Sequence, residues 1–455
     1  MQVSLELLEK YNVAVPRYTS YPTVPFWKEN LDSIKWKQTL KKQLKKFSKD
    51  KGISLYIHLP FCESLCTYCG CNKKITTQHS VEEEYLQTLI KEWKLYVQLM
   101  QEKPIIQELH LGGGTPTFFS PENLERLLTA IFTDAIIHED YEFSFEGHPN
   151  NTTRDHLQVL FNLGFRRVSY GVQDLDTRVQ QVINRIQPFE NVASAVNNAR
   201  AVGFTSVNFD LIYGLPLQNE TSIQKTIEQS ILLQPDRVAF YSYAHVPWTS
   251  KGQRLFDEND LPSTSTKMKL YQIGKMLFTK YGYNDIGMDH FASSNDSLYK
   301  AKLNGTLHRN FMGYTTKHTG ILLGLGVSSI SDVGTAYAQN VKTIHDYYKY
   351  IHNNQLAVNK GFFLDEEDVD FKNYILDIAC KGKTVFQNKN LDTLLEYSFP
   401  ELRKLAANNL IEWDTCGVGV TALGEHFIRN ICKAFDLHLL KTEQLINKPL
   451  FSKAV

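Results

Sequence analysis

Between residues 53 and 245, six short β-rich runs alternate with helical patterns, and this alternation constrains the fold more than any other feature. The runs are "ISLYIHL", "IIQELHL", "YEFSFE", "RRVSYGVQ", "SVNFDLIYG" and "DRVAFYSYA". Between them lie stretches with helical spacing, such as "SVEEEYLQTLIKEWKLYVQLM" and "PENLERLLTAIF". In the second of these, Ser120 suits an N-cap and Pro121 the first helical position. "DHLQVLFNL" runs into Gly164 and "NVASAVNNARAV" into Gly203, and glycine suits the position just past a helix end. Strand–helix units in succession imply a parallel sheet with helices outside, either a partial (β/α) barrel or a doubly wound sheet. Polar and glycine-rich residues fall at the C-terminal ends of the runs: a cysteine loop, Gly112 to Gly114, Glu146, Gln173 and Asp210. In barrels that edge carries the chemistry.

The flanks read differently. Residues 1–50 form a helical arm, and its stretch "KWKQTLKKQLKKFSKDK" is expected to be a solvated basic face. Residues 51–360 are expected to hold the barrel and its extension, and residues 361–455 a mainly helical cover domain. Within the last, "LRKLAANNLIEWDTCGVGVTALGEHFIRNICKAF" resembles a winged-helix layout of helix, two short strands and helix. Its would-be recognition helix is not basic enough for DNA. Lysine plus arginine, 49, balances aspartate plus glutamate, 49, so nucleic acid is not an expected partner. The N-terminus lacks the basic and apolar regions of a signal peptide. The longest apolar run, "GILLGLGVSSIS", is too short and too polar to span a bilayer. A cytoplasmic location without membrane insertion is the expectation.

Of seven cysteines, four lie within "CESLCTYCGC" at 62–71, which does not suit a disulfide framework. Cys380, Cys416 and Cys432 read as isolated small hydrophobes. Structural zinc sites use two knuckles well separated in sequence, whereas Cys62, Cys66 and Cys69 share one loop. A 4Fe–4S cluster suits that loop better, since three thiolates from a short loop can reach three of its irons and leave the fourth open. Zinc and unrelated free thiols stay as the bland alternatives. Cys71 reads either as a thiol buried near the cluster or as a residue with its own role.

The C-x3-C-x2-C loop after a strand, with Tyr68 just before its third cysteine, resembles the radical S-adenosylmethionine (SAM) superfamily. Over nearly its whole length the chain resembles one family within it, the oxygen-independent coproporphyrinogen III oxidases of haem biosynthesis. The resemblance is carried by "PRYTSYPT" at 16–23, "YIHLPFCESLCTYCGCNK" at 56–73, "LHLGGGTPT" at 109–117, "GVQD" at 171–174 and "INRIQ" at 183–187. It continues in "FDLIYGLP" at 209–216, "YAHVP" at 243–247, "IGMDHFA" at 286–292, "LHRNFMGYTT" at 307–316 and "FIRNICKAFD" at 427–436. The cysteine loop and "GGGTP" alone indicate only the superfamily; the "RYTSYPT" arm, the fourth cysteine and "HRNFMGYTT" narrow it to the family.

The resemblance implies an α/β fold, a partial TIM-like (β/α)6 barrel with an N-terminal helical arm and a winged-helix-like C-terminal domain. It implies that Cys62, Cys66 and Cys69 ligate a 4Fe–4S cluster whose open iron is chelated by SAM. One electron then yields a 5′-deoxyadenosyl radical that takes a hydrogen from a propionate β-carbon. Loss of carbon dioxide and a second electron leaves a vinyl group, twice per tetrapyrrole, giving protoporphyrinogen IX. Implied contacts to SAM, of which two molecules are expected, are Tyr56, Tyr68, Gly113, Gly114, Thr115, Glu146, Gln173, Arg185 and Asp210. Backbone near Ala244 and Ile330 is implied around adenine. The candidate catalytic residues are Cys71, Tyr56, Arg309 and Arg17, with the two arginines and Arg185 as partners for propionate because guanidinium pairs bidentately with carboxylate.

An electron donor protein such as flavodoxin or ferredoxin is a further expected partner. Taken singly, Glu146, Gln173, Arg185 and Asp210 read equally well as buried ion pairs or caps. The chain also departs from the family: it has "EGHP" at 146–149 where many members have Glu-Val-Asp-Pro. His148 therefore stands in place of an aspartate, as a satisfied structural histidine or a titrating group. Three other functions fit parts of the pattern: a haem-binding chaperone of the superfamily, another tetrapyrrole-acting radical SAM enzyme, and a plain iron–sulfur electron carrier.

Overall fold

The computed structural model describes residues 3–47, 51–248, 250–442 and 451; the end of the basic stretch, 48–50, lies outside them. Six strands form where the β-rich runs predict them. They are β1 (Ile53–Leu59), β2 (Ile105–Gly113), β3 (Ile136–Gly147), β4 (Arg167–Gln173), β5 (Ser206–Tyr213) and β6 (Arg237–Ser242). They pair in parallel in that order. The run "YEFSFE" is only the end of β3, which starts at Ile136. Five helices make the crossovers: α1 (Val81–Val97), α2 (Pro121–Thr133), α3 (Arg154–Asn162), α4 (Phe189–Val202) and α5 (Glu220–Leu232). Ser120 Oγ accepts the Asn123 amide at 3.2 Å and so caps α2. Gly164 and Gly203, past α3 and α4, take φ of +95° and +117°, the left-handed conformation that ends a helix without a Cβ penalty.

Strand alternation sorts side chains to two faces. Leu55, Ile57, Leu109, Leu111, Phe143, Phe145, Val168 and Phe209 point outward into the main core under the helices. The inward face is polar, carrying Ser54, Tyr56 and His58 on β1, Glu108 and His110 on β2, and Glu142, Ser144 and Glu146 on β3. It is tied laterally by hydrogen bonds such as Ser54 to Glu108 and His110 to Ser144.

The barrel is partial, since β1 and β6 do not meet. Beyond β1 the sheet continues through Leu322–Leu325, parallel to it, and then antiparallel through Ile330–Asp332, Ala336–Asn340 and Val358–Phe363 to Lys28–Glu29. Beyond β6 it continues through His290–Ser293 and Tyr283–Gly287, making thirteen strands among the described residues. A separate hairpin, His308–Asn310 with Gly313–Thr315, enters the open side. Thr315 Oγ1 donates to Glu108 at 2.6 Å, and Thr319 Oγ1 lies 2.9 Å from Ser54 Oγ, at the N-terminal end of the barrel strands.

The flanks divide between two cores. Ser33–Phe47 buries Trp36, Leu40 and Leu44 in the main core and leaves Lys41, Lys42, Lys45 and Lys46 exposed, the expected solvated face. Val3, Leu8, Tyr18 and Tyr21 instead join the second core, built by C-terminal helices. That region has a three-stranded antiparallel sheet, Lys383–Val385 with Gly417–Val420 and Ile411–Trp413, one strand more than its sequence suggests. The strand Val358–Phe363 runs across the expected boundary at 360. Cys380 and Cys432 are buried as expected, but Cys416 is exposed in the turn between two strands and packs nothing. No helix among the described residues is long and apolar enough to cross a membrane.

Behind β1, Glu92 on α1 is fully buried. Its carboxylate accepts from the Gly326 amide, the Tyr347 hydroxyl and the Asn340 side chain, each at 2.7 Å. Burial outweighs these three donors and pushes its pKa up to about 7, from 4.5. The folded chain therefore binds this proton more tightly than the unfolded chain. The stability Glu92 contributes is full below 4.5 and is lost as pH rises through about 7. Thermal melts of Glu92→Gln and wild type should accordingly diverge in the variant's favour between those two pH values and run parallel above them. A Tm difference that stays constant across that window would mean Glu92 ionises at its ordinary pKa.

Candidate active site

The cysteine loop follows β1 at the C-terminal edge of the barrel. Neighbouring loops hold it by its backbone. The Thr67 amide donates to Ile183 O, Asn184 Nδ2 to Leu65 O, Ser250 Oγ to Cys69 O and Gln253 Nε2 to Tyr68 O. Inside the loop the Cys69 amide donates to Cys66 O at 3.2 Å. Three of the sulfurs have donors: Thr115 Oγ1 lies 3.4 Å from Cys62 Sγ, Arg185 Nη1 lies 3.6 Å from Cys66 Sγ, and Cys71 bonds Cys69. Burial still pushes the Cys62 thiol up to about 11. A hydrogen bond from Cys71 pulls Cys69 down to about 6 and pushes Cys71 itself up. The Cys71 side chain is exposed. Among the described residues no set of three His, Cys, Asp or Glu side chains could close on a single metal ion. Three thiols on one loop, each with a donor on sulfur, suit a cluster.

The glycine turn at the end of β2 locks onto the base of this loop. The Gly114 amide donates to Leu59 O at 2.8 Å and the Thr115 amide to Phe61 O at 2.9 Å. Gly113 has φ of +120°, and a Cβ there would meet the His58 ring at 2.7 Å. A Cβ on Gly114 would meet Pro60 O at 2.6 Å, and one on Gly112 would meet Glu146 and the Tyr56 ring at 3.0 Å. The space the three glycines leave is thus filled by the chain's own groups.

Glu146 ties the edge together. Its Oε2 accepts the Gly113 amide at 3.1 Å and its Oε1 lies 3.5 Å from His110 Nε2. Burial pushes this carboxyl up, but His110 and the Gly113 amide outweigh it and hold it below the ordinary carboxylate range. His110 stacks on Tyr56 at 6.1 Å, and Tyr56 bonds His58, whose Nε2 meets Asn72 O at 2.9 Å. His58, His110 and Gln253 did not emerge from the sequence, although the first two sit at alternate positions beside Tyr56 and Gly112, which is the signal that could have found them.

Across the barrel, Asp210 accepts from Ser169 Oγ and Asn208 Nδ2, both at 2.9 Å. Burial, then the charge of Glu146, pushes Asp210 up to about 6. Asp210 and Tyr56 each lie three residues inside their strands, deeper in the barrel than their expected strand-end positions. Gln173 closes β4 with φ of +65°, its amide against Gly171. Arg185 is committed to Gly171 O, at 2.6 Å, and to Cys66. His148 accepts the Asn150 amide, and burial with the Arg185 charge pushes it down to about 3, so it is a satisfied neutral histidine.

Four expected residues stand apart from this ring. Ala244, after β6, has its carbonyl held by Gln253. The Ile330 side chain packs with Trp27 and Tyr337, while its backbone covers Gly324, the partner of Tyr56 across the sheet. Arg17 donates to Ser242 O at 3.0 Å and lies over Tyr241. Arg309 is farther away: it donates to Arg17 O at 3.1 Å and lies over Tyr314.

Comparison with known proteins follows the same lines. The profile of the Radical SAM superfamily matches residues 56–229. The oxygen-independent coproporphyrinogen III oxidase of Pseudomonas aeruginosa is 36% identical, over 99% of this chain and 98% of its own. The enzyme of the same name from Escherichia coli is 38% identical, over 96% and 95%. A solved structure of coproporphyrinogen III oxidase from Escherichia coli, described as a radical SAM enzyme, superposes with a TM-score of 0.89 at 36% identity. It covers 96% of this chain and 99% of that one.

The glycine packing is testable without any ligand. In Gly114→Ala the new methyl meets the backbone carbonyls of Pro60 and Phe61 at 2.6 and 2.8 Å, which cannot rotate away. Denaturant unfolding should show a loss of about 1–3 kcal/mol, the usual cost of overpacking. Stability equal to wild type would mean the glycine turn does not press on the cysteine loop.

Proposed function

Because the chain belongs to the oxygen-independent coproporphyrinogen III oxidases of the radical SAM superfamily, we propose that Cys62, Cys66 and Cys69 ligate its 4Fe–4S cluster and that Cys71 does not. The activity is oxidative decarboxylation of two propionates of coproporphyrinogen III to vinyl groups. The observation that carries the ligand assignment is the loop itself. Cys62, Cys66 and Cys69 receive donors on sulfur from Thr115, Arg185 and Cys71 respectively, whereas Cys71 is itself exposed. The Cys71 hydrogen bond favours the Cys69 thiolate, the form that binds iron, and the Thr115 donor offsets part of the burial that pushes Cys62 up. When bound, the cluster and SAM supply one-electron reduction and hydrogen-atom abstraction, and the protein supplies position and charge.

The remaining assignments follow from chemistry. Glu146, held ionised, is suited to accept from the ammonium of SAM, with Gly113, Gly114 and Thr115 beside it. The two oxygens of Asp210 suit a pair of ribose hydroxyls. Gln173, Tyr56 and Tyr68 border the same space, with Arg185 anchoring the loop between them. Ala244 follows β6 and Ile330 lies beyond β1, on opposite sides of the barrel opening, which supports two separate SAM molecules. Arg17 and Arg309 are assigned to substrate carboxylates; Nε and Nη1 of Arg309 are buried without a partner and remain to be offered. Flavodoxin or ferredoxin would serve as the electron donor, and seven unpaired cysteines support a reducing, cytoplasmic setting.

Cys66→Ser should lose iron and visible absorbance, while Cys71→Ser should assemble a cluster; the opposite pattern would reverse the ligand set. Anaerobic incubation of the wild type with reductant, SAM and coproporphyrinogen III should give mass losses for two carbon dioxide molecules. Unchanged substrate would sink the functional reading.

A further inference from the structure

Two of the most family-specific stretches, "RYTSYPT" and "HRNFMGYTT", meet away from the cysteine loop. Between them lies a cavity of about 360 Å³, the size of a small-molecule site. Its walls are the arm at Tyr18–Tyr21, the end of the helix Ser33–Phe47, the hairpin at His308–Asn310, and the helix Glu366–Lys381. Ile321, Leu322 and Asp332 place it beside the N-terminal end of β1, since Leu322 pairs with Ser54 there. The cysteines lie at the other end of that strand.

The charges lining it are one-sided. Lys46, Lys51, Lys372 and Arg309 line the cavity, and among the described residues Asp332 is the only carboxylate that does. Lys372 engages Asp332 at 2.9 Å, which leaves Lys46, Lys51 and Arg309 as the cations in excess. Arg309 is 5% exposed, and its Nε and Nη1 are buried without any hydrogen-bond partner. A buried guanidinium left in this state is costly unless a ligand or water completes it. His308 and His318 stack at 4.1 Å on the same wall, and burial pushes both below the ordinary histidine pKa, so they remain neutral. Apolar side chains, among them Phe47, Ile321 and Leu376, complete the lining. Cations around an apolar body fit an amphipathic anion.

We propose that this cavity holds the two propionate carboxylates that the reaction leaves intact, with Arg309 at the inner end and Lys46 and Lys51 at the outer. The inference rests on the coproporphyrinogen reading, and it adds a division of labour to it. Four propionates enter and two are converted, so substrate and product share the retained pair. A site for that pair binds both alike, because uniform binding does not distinguish the states along the reaction.

The test uses the anaerobic holoenzyme and the stable porphyrins, coproporphyrin III and protoporphyrin IX, followed by fluorescence quenching. In Lys46→Gln/Lys51→Gln the Kd should rise for both porphyrins by the same factor, about tenfold. Hydrogen exchange in the wild type should show both porphyrins protecting residues 18–21 and 308–322. Unchanged affinities in the double variant would overturn the proposal. So would weakening of coproporphyrin III alone, since the lysines would then hold carboxylates that are lost. Both lysines are exposed, so the variant folds on the same core, which circular dichroism checks. If the wild type converts coproporphyrinogen III but its porphyrin affinity ignores the lysines, only the cavity assignment falls. If it neither converts nor binds, the functional reading falls with it.

Discussion

A barrel that turns polar side chains inward must find each of them a partner, and that requirement organises the molecule. Many parallel barrels fill the interior with branched apolar residues; here Ser54, Glu108, His110, Ser144, Glu142, Arg167, Ser169 and Asp210 pair with one another from strand to strand. Toward the cysteine edge the network carries two carboxylates, Glu146 and Asp210. Burial, then the charge of Glu146, holds Asp210 up near 6. Negative charge confined there is offset by a ligand that brings positive charge. SAM carries both a sulfonium and an ammonium, so the part of the barrel hardest to satisfy internally is the part a cationic cofactor would relieve.

A second set of polar contacts fixes the arm. Arg429 donates to the carbonyls of Val15 and Pro16, Arg309 to that of Arg17, and Arg17 to that of Ser242. Four segments far apart in sequence are thereby strung together by guanidinium-to-carbonyl bonds. Tyr18 adds a hydrogen bond to Asp436, a carboxyl that burial pushes up to about 6. The arm is therefore a structural member that closes the open side of a partial barrel, with its own tip inside the second core.

Much of this was legible in the sequence because it depends on local rules. β-rich runs set between helical patterns marked the six strands, Ser120 and the glycines marked helix ends, and the spacing of Cys62, Cys66 and Cys69 marked the loop. The antiparallel extension was not legible. Strands such as Leu322–Leu325 are four residues long and buried on both faces, so they carry no alternation to read. Side-chain roles that depend on a partner from another loop were equally hidden: Gln253 holds Tyr68 and Ala244 at once, a contact spanning 185 residues on one side and nine on the other. The packing of the glycine turn was hidden for the same reason, since His58, Pro60 and Glu146 from other segments fill the room beside Gly112 to Gly114.

The same reasoning separates what the superfamily shares from what this family adds. Radical chemistry needs the cysteine loop, the glycine turn and the polar strand ends, all at the C-terminal edge. Recognition of a particular tetrapyrrole needs a surface of its own, and two of the three features that narrowed the sequence to one family, the arm and the hairpin, gather elsewhere, around Arg309. Three of that guanidinium's five N–H groups, on Nε and Nη1, are unsatisfied in a buried position, at a cost of about 1–3 kcal/mol or more. A chain selected only for stability would replace such a residue with an apolar one of similar volume. If the cavity holds the propionates as proposed, this residue, one carbonyl away from Arg17, is where binding energy from the unreactive part of the substrate would be spent on holding the reactive part still.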